Sequence, residues 1–306
     1  MDGIIGTSEA MARLRRYLPK VALSEATVLI TGETDTGKEK LGELIHQMSP
    51  RNRAPIVRIN CAAIPDSLFE SELFGYERGA FTGAHVSYPG KLRLADGGTV
   101  FLDEIGEMTR FAQAKLLRTL ESGEIFPIGA RRVVPLNIRI VAATNQELEP
   151  LVERNEFRRD LYYRLNVARL QIPPLRDGRE DILEFFRVFV RHFNQVRQLA
   201  VPGPGPELSR CLMHYDWPGN VREVRNVVEA IFIDPPACAI EIADLPDPFR
   251  RLFASYMIEV SSERDHLLSV LDATKWNKSQ AAAKLNWSRM TLYRKLSKYD
   301  LSAPRR

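Results

Sequence analysis

Short apolar runs alternate with amphipathic segments from the start of the chain to about residue 170. Four runs, at 28–30, 55–60, 97–102 and 137–143, have the length and composition of buried parallel strands. The segments between them carry apolar residues at helical spacing, as from Met11 to Val21. Strands that alternate with helices predict an α/β domain built on a parallel sheet.

Prolines divide the rest of the chain. The pair at 173–174 breaks the pattern, and the sequence is helical again from Asp181. Further prolines between 235 and 248 indicate an exit into a linker, and the pattern beyond about 255 is helical. We therefore expect four segments: an α/β domain at 1–173, a helical domain at 174–245, a linker at 246–262 and a second helical domain at 263–306.

Basic residues are concentrated at the carboxy terminus. The whole chain carries a net charge of +4, whereas residues 275–306 alone carry +8. This asymmetry predicts nucleic-acid affinity in the last segment. The sequence has no apolar run long enough to span a membrane, no secretory signal pattern and only three widely spaced cysteines, so we expect a cytoplasmic protein with reduced thiols.

The first apolar run leads into a phosphate-binding pattern. Gly32-Glu33-Thr34-Asp35-Thr36-Gly37-Lys38 fits G-x-x-x-x-G-K between a predicted strand and a predicted helix. The loop amides and the helix amino terminus would donate to phosphate oxygens, and Lys38 would reach the β and γ phosphates. Glu39 replaces the usual Ser or Thr that ligates magnesium. The carboxylate of Asp35 would repel a triphosphate unless it is turned outward.

The third apolar run ends in two adjacent carboxylates, Asp103 and Glu104. On a sheet that also carries a phosphate loop, such a pair suits two tasks, with Asp103 toward magnesium and Glu104 polarising the attacking water. A solvated pair at the start of a loop is the alternative. The phosphate loop favours the catalytic interpretation.

The hexamer Gly79-Ala80-Phe81-Thr82-Gly83-Ala84 lies between these two motifs. Its glycines allow tight turns that leave Phe81 at a tip, and in isolation it is typical of a Gly-rich surface turn. With Glu70-Ser71-Glu72-Leu73-Phe74-Gly75 just before it, the stretch resembles the GAFTGA loop of bacterial enhancer-binding proteins, the AAA+ ATPases that activate sigma-54 RNA polymerase.

The resemblance covers nearly the whole chain. It implies an AAA+ P-loop NTPase core with a parallel sheet, a small helical lid and then an all-α helix-turn-helix domain, with ATP and Mg²⁺ as cofactors. Glu39 is common at its position in this family, whereas the family usually has Gly where this chain has Asp35. The hexamer would contact sigma-54.

Strand ends carry further roles that the resemblance implies. Asn60 would hold the catalytic Glu104 and link the nucleotide state to the hexamer, although an Asn at a strand end is otherwise typical of a turn cap. Asn145, after the fourth apolar run, would be sensor I, which senses the γ phosphate or orients the water.

Three arginines receive roles by position in the family's motifs. Arg158 and Arg164 match the arginine fingers, which reach from one subunit to the γ phosphate held by its neighbour, and Arg222 matches sensor II in the lid. The planar, always charged guanidinium suits phosphate. For any single arginine, a solvated helix face is the alternative. Fingers that act in trans require an oligomer, which we expect to be a hexameric ring.

The carboxy-terminal segment has the pattern of a helix-turn-helix. Residues 278–285 and 289–298 read as two helices joined by a turn at Asn286, and the pair resembles the Fis-type domain of enhancer-binding proteins. Leu292, Tyr293 and Leu296 are expected to pack inward in part. The residues expected to contact DNA are Lys278, Ser288, Arg289, Thr291, Arg294 and Lys295.

The sequence thus predicts a transcription activator that binds enhancer DNA and uses ATP hydrolysis in a ring to remodel the closed complex of sigma-54 RNA polymerase. We expect no amino-terminal regulatory domain, so control would come from expression level, a partner protein or a missing start segment. The main alternative is a DNA-binding regulator whose ATPase is impaired through Asp35. A generic AAA+ remodeller explains the basic tail less well.

Overall fold

The computed structural model describes residues 4–301 except 275, 286 and 300, and gives the backbone alone at 256–262 and 265. The described residues fall into two compact units, one formed by 1–199 with 213–229 and the other by 200–212 with 230–306. The strands are β1 (Val28–Thr31), β2 (Ile56–Asn60), β3 (Thr99–Asp103), β4 (Glu124–Ile125), β5 (Val134–Pro135), β6 (Arg139–Thr144) and β7 (Ala168–Gln171).

The helices account for most of the remaining described residues. They are α1 (Glu9–Leu23), α2 (Lys38–Gln47), α3 (Asp66–Phe74), α4 (Lys91–Leu94), α5 (Arg110–Ser122), α6 (Leu148–Glu153), α7 (Arg159–Leu165), α8 (Arg179–Arg197), α9 (Pro206–His214), α10 (Asn220–Ile231), α11 (Asp247–Ala273), α12 (Lys278–Lys284) and α13 (Arg289–Lys298). In the described part of the chain, none of them is long and apolar enough to cross a membrane.

The first unit is built on a five-stranded parallel sheet in the order β2-β3-β6-β1-β7. This topology confirms the predicted α/β class. In register, Asn60 lies opposite Asp103, and Thr31 lies opposite Thr144. The carboxyl ends of these strands therefore meet at one edge of the sheet, where the phosphate loop begins directly after β1.

Residues that alternate along the strands bury the two faces of the sheet in separate cores. On one face, Leu29 and Leu102 pack with α3, α5 and α7, and on the other Ile30 and Phe101 pack with α1 and α2. Gly42 of α2 sits so close to the Phe101 ring that a Cβ there would lie 2.4 Å from it. Small size at this position lets α2 approach the sheet and carry the phosphate loop with it.

The second unit ends in the helices expected from the sequence. Buried leucines of α11 and α13, Leu267, Leu271, Leu292 and Leu296, enclose the small residues of α12. The helix α11 occupies nearly all of the segment predicted as a linker at 246–262. The predicted turn residue Asn286 lies outside the described residues.

Candidate functional site

The phosphate loop delivers Lys38 to the carboxyl edge of the sheet. The buried Lys38 starts α2, and its Nζ donates to the carbonyl oxygens of Gly32 and Glu33, each at 3.1 Å. The same Nζ lies 3.6 Å from Oε1 of Glu104. Thr36 closes the loop by donating from Oγ1 to the Glu33 carbonyl oxygen at 2.9 Å. The positive end of α2 and the lysine charge thus face the same space.

The two predicted carboxylates lie where β3 ends. The half-buried Asp103 is the last residue of β3. Burial, as the main cause, and the charge of Glu104 both raise the pKa of the Asp103 carboxyl group. Glu104 has a left-handed φ of 51°, which turns the chain so that its side chain points back toward Lys38. The backbone N–H of Asn145 donates to Glu104 Oε2 at 3.2 Å. Glu104 is therefore held between the phosphate loop and the end of β6.

Asn145 connects the same groups from the neighbouring strand. Its Nδ2 donates to Thr34 Oγ1 at 3.0 Å while its backbone N–H bonds to Glu104. The structure therefore brings together the predicted loop, the predicted catalytic carboxylate and the predicted sensor I residue.

Asn60 makes the contacts of a turn cap. Its Oδ1 accepts hydrogen bonds from the backbone N–H groups of Ala62 at 2.9 Å and Ala63 at 3.1 Å. Although Asn60 is opposite Asp103 in register, its hydrogen bonds in the described part of the chain do not include Glu104. This is the alternative that the sequence left open.

Glu39 points away from the phosphate loop. Its carboxylate pairs with Arg58 of β2 at 3.6 Å and is 62% exposed. Glu39 therefore does not take the place of the Ser or Thr that usually ligates magnesium, and Asp103 stays the predicted cation ligand. Within the described ranges, no three His, Cys, Asp or Glu side chains cluster in the manner of a protein-only metal site.

Arg176 and Asn220, which the sequence did not single out, both form hydrogen bonds with the phosphate loop. Arg176 Nη1 donates to Glu33 Oε2 at 2.8 Å, and this hydrogen bond is the main cause that lowers the pKa of the Glu33 carboxyl group. The buried Asn220 donates to Glu33 Oε2 at 3.2 Å and to the Thr34 carbonyl oxygen at 3.1 Å.

Two further contacts join Asp35 to the start of α10. The backbone N–H of Val221 donates to the Asp35 carbonyl oxygen at 3.2 Å, and the guanidinium of Arg222 lies 2.9 Å from Asp35 Oδ1. The predicted sensor II arginine therefore reaches the phosphate loop, but through a carboxylate.

An apolar cavity of about 170 Å³ adjoins the phosphate loop. Ile4, Ile5, Phe185 and Phe189 contribute to its walls, and Gly37 of the loop borders it. The sequence offered no signal for this cavity because its walls come from segments far apart in the chain.

The predicted fingers bond to groups outside the phosphate loop of their own chain. Arg158 makes a two-pronged pair with Asp160, with Nε to Oδ1 at 3.0 Å and Nη2 to Oδ2 at 2.7 Å, and this pair is the main cause that lowers the pKa of the Asp160 carboxyl group. Arg164 Nη2 donates to the Leu120 carbonyl oxygen at 2.9 Å. Among the described residues, neither guanidinium bonds to the phosphate loop.

The hexamer forms a closed loop with an exposed aromatic residue. The N–H of Gly79 donates to the Ala84 carbonyl oxygen at 2.9 Å, and positive φ angles of 82° at Gly79 and 103° at Gly83 make this closure possible. Phe81 is 45% exposed and touches the Tyr76 ring edge-on at 4.9 Å between centroids, whereas Ala84 is buried. The loop thus presents Phe81 and Thr82 to solvent.

A second loop, between β4 and β5, supports the base of the hexamer. The N–H of Glu77 donates to the Ile128 carbonyl oxygen, and the N–H of Ile128 donates to the Gly75 carbonyl oxygen, each at 2.9 Å. A Cβ at Gly129 would lie 2.8 Å from the Ala80 side chain. These contacts show that the two loops form one structural feature, which the sequence did not reveal.

The predicted DNA-contacting residues divide into exposed and packed groups. Lys278, Arg289 and Arg294 are exposed, and Ser288 caps α13 by accepting from the Thr291 N–H at 3.0 Å. Lys295 instead pairs with Glu263 of α11 and lies 5.7 Å from the centre of the Trp287 ring. Of the three residues expected to pack inward in part, Leu292 and Leu296 are buried and Tyr293 is 52% exposed.

Three protein-family models match the chain in order. They describe a sigma-54 interaction domain at 4–171, an AAA+ ATPase lid domain at 176–255 and a bacterial regulatory protein of the Fis family at 261–299. The first model alone covers more than half of the chain. The chain belongs to the family of sigma-54 activators. The resemblance read from the hexamer is thereby confirmed.

Individual relatives agree with this membership. This sigma-54 activator is 42% identical over 305 residues to the transcriptional regulatory protein ZraR of Escherichia coli (strain K12), a match that covers 97% of this chain and 68% of ZraR. It is 52% identical over 230 residues to the DNA-binding transcriptional activator HyfR of the same strain, covering 74% of this chain and 34% of HyfR.

A solved structure has the same fold. NtrX from Brucella abortus, in complex with ATP, matches with a TM-score of 0.77 at 30% identity, covering 97% of this chain and 70% of NtrX. The fold is accordingly that of an AAA+ ATPase with a helix-turn-helix domain. The protein is a sigma-54-dependent transcriptional regulator, and its partners are sigma-54 and DNA.

Proposed function

We propose that this sigma-54 activator binds ATP at the phosphate loop and hydrolyses it. The observation that carries the proposal is the convergence of Lys38 and Asn145 on Glu104, together with the hydrogen bond from Asn145 to Thr34 of the loop. The loop amides and the amino terminus of α2 would hold the phosphates, while Lys38 would neutralise the β and γ groups. NtrX, which has this fold, is solved in complex with ATP.

The adenine base would enter the apolar cavity beside the loop. Aromatic and aliphatic walls from Ile5, Phe185 and Phe189 suit a flat heterocycle, and the position of Gly37 in the wall brings the base and the phosphates to one site.

Asp103 and Glu104 would divide the chemistry between them. Mg²⁺ in nucleotide sites is typically held by one or two carboxylates together with phosphate oxygens, and Asp103 can supply such a carboxylate. Bound Mg²⁺ would neutralise developing phosphate charge. Glu104, fixed by Asn145, would polarise the attacking water, and Asn145 would help to orient it. Asn60 would act on this site through the turn that it caps.

The predicted arginine fingers would complete the site in trans. Arg158 and Arg164 do not reach the phosphate loop of their own chain in the described residues, so they would serve a neighbouring subunit. A repeated head-to-tail contact of this kind gives a ring when its rotation closes, and we propose a ring of six subunits. Arg222 would contact the nucleotide from the lid.

ATP hydrolysis would press the loop from Gly79 to Ala84 against sigma-54 and thereby remodel the closed promoter complex. The exposed face of α13 would hold the ring at enhancer DNA. We retain the predicted bounds, with 1–173 and 174–245 as the ATPase core and lid, 246–262 as the connection and 263–306 as the DNA-binding domain. A regulatory partner protein remains part of the proposal.

Steady-state ATP hydrolysis at increasing protein concentration tests the ATPase. We expect the rate per subunit to rise with concentration, because each site needs a neighbour, and Glu104→Gln to lower the maximum about 10²- to 10⁴-fold through loss of the base. Glu107→Gln is the matched control, since this carboxylate is nearby but bonds to Gln146. Absence of hydrolysis at every concentration, or full activity in Glu104→Gln, would contradict the proposal.

A further inference from the structure

Asp35 places a carboxylate inside the loop proposed to hold the phosphates, at a position where the family that this chain resembles usually has glycine. Its φ of 63° lies in the left-handed region, which glycine adopts freely and Asp tolerates better than most residues. The loop therefore keeps the backbone that a glycine would give it and adds a negative charge.

Among the described residues, that charge is paired with Arg222. Asp35 Oδ1 lies 2.9 Å from Arg222 Nη2, and the Asp35 side chain is 18% exposed against 69% for Arg222. A guanidinium binds carboxylate and phosphate with similar geometry. Because Arg222 is also the residue proposed to contact the nucleotide, one arginine has two competing anionic ligands.

We propose that Asp35 competes with the triphosphate for Arg222, so that ATP binding requires Arg222 to exchange a carboxylate for a phosphate. The inference rests on the proposed nucleotide site and makes Asp35 the residue that sets its affinity. The exchange also displaces a contact between the loop and α10, since Arg222 lies in the first turn of that helix. ATP therefore changes how α10 is held, in addition to filling the loop.

The other carboxylate of the loop provides a matched comparison. Glu33 is paired with Arg176 and Asn220 rather than with Arg222. Removing its charge reduces the negative potential of the loop but does not release Arg222. If Asp35 only repels the triphosphate, removing its charge should change ATP affinity in the same way as removing the charge of Glu33. If Asp35 competes for Arg222, the change should depend on the presence of Arg222.

The test is a double-mutant cycle on ATP affinity, measured by isothermal titration calorimetry in the full chain. All variants carry Glu104→Gln so that ATP stays intact. We expect Asp35→Asn to tighten ATP binding roughly threefold to tenfold when Arg222 is present. In Arg222→Ala, where there is no pair to break, less than half of that gain should remain.

Equal gains with and without Arg222 would overturn the exchange and leave only repulsion, and so would no gain in either background. Glu33→Gln should give the same gain in both backgrounds. Asp35→Gly, which suits the left-handed backbone, should repeat the Asp35→Asn result and separate it from any folding effect of Asn. If no variant binds ATP more tightly than Lys38→Ala does, the proposed nucleotide site itself fails and the exchange with it.

Discussion

At the scale of single residues, Asp103 carries a carboxylate whose surroundings disfavour its charge. Burial and the adjacent Glu104 raise its pKa, while Lys38 and the Glu104 N–H oppose the shift only in part. A carboxyl group with a raised pKa favours the folded state when protonated, and this contribution is lost as the pH rises through that pKa. Ionised Asp103 therefore lowers the stability of the folded state at neutral pH, but it is the form that could bind the proposed Mg²⁺.

Asp103→Asn should accordingly raise the thermal midpoint of the nucleotide-free protein at pH 7. The difference from the original chain should shrink as the pH falls through the pKa of Asp103, because both side chains are then neutral. ATP hydrolysis should fall in the same variant. Differential scanning fluorimetry from pH 7 to pH 4 measures the effect, and a midpoint that is lower in Asp103→Asn at pH 7 would contradict the account.

The site residues that could be predicted from the sequence all belong to local patterns of strand and loop. Lys38, Asp103, Glu104 and Asn145 each follow an apolar run, and parallel strands bring such ends together. The hydrogen bonds that Glu33 accepts could not be predicted, because the donors Arg176 and Asn220 lie 143 and 187 positions further along the chain.

At the scale of elements, α13 presents two adjacent basic residues to different surroundings. Arg294 is exposed, whereas Lys295 pairs with Glu263 of α11. Burial alone would raise the pKa of the Glu263 carboxyl group, but hydrogen bonds from Lys295 and Tyr299 hold it below its ordinary value. Periodicity predicted the helix and its buried leucines, but Lys295 lies at the edge of the buried stripe, where only the position of α11 decides its partner.

This difference predicts that substitutions of Arg294 and Lys295 affect different properties, DNA binding for the first and stability for the second. Arg294→Ala should weaken binding to nonspecific duplex DNA and lower the salt dependence by about one unit, with stability unchanged. Lys295→Ala should lower the stability of the carboxy-terminal helices by about 1 kcal/mol, because it leaves Glu263 without its cation. Fluorescence anisotropy over a salt series and thermal unfolding measure both, and loss of the salt dependence in Lys295→Ala alone would reverse the assignment.

At the scale of the whole molecule, Arg158 pairs with Asp160 and has no hydrogen bond to the phosphate loop among the described residues. Its proposed role as an arginine finger predicts active sites shared between subunits. Glu104→Gln and Arg158→Ala should each be nearly inactive alone. An equal mixture should regain activity, because roughly a quarter of the boundaries then combine an intact Glu104 with an intact Arg158 from the next subunit.

The control mixture combines Glu104→Gln with Lys38→Ala. These residues contact each other within one subunit, so no boundary in this mixture regains both, and it should stay inactive. Activity in the control mixture, or none in the test mixture, would contradict the shared site.

We propose above all that ATP hydrolysis acts on sigma-54 through the exposed tip of the loop from Gly79 to Ala84. The most direct measurement is the formation of heparin-resistant open complexes by sigma-54 RNA polymerase, alongside ATP hydrolysis, for the original chain, Phe81→Ala and Phe111→Ala. Phe111 is a matched control because its ring is also exposed but lies on α5. We predict that Phe81→Ala hydrolyses ATP yet forms no open complexes, while Phe111→Ala does both. Open complexes at the original level with Phe81→Ala would contradict the account.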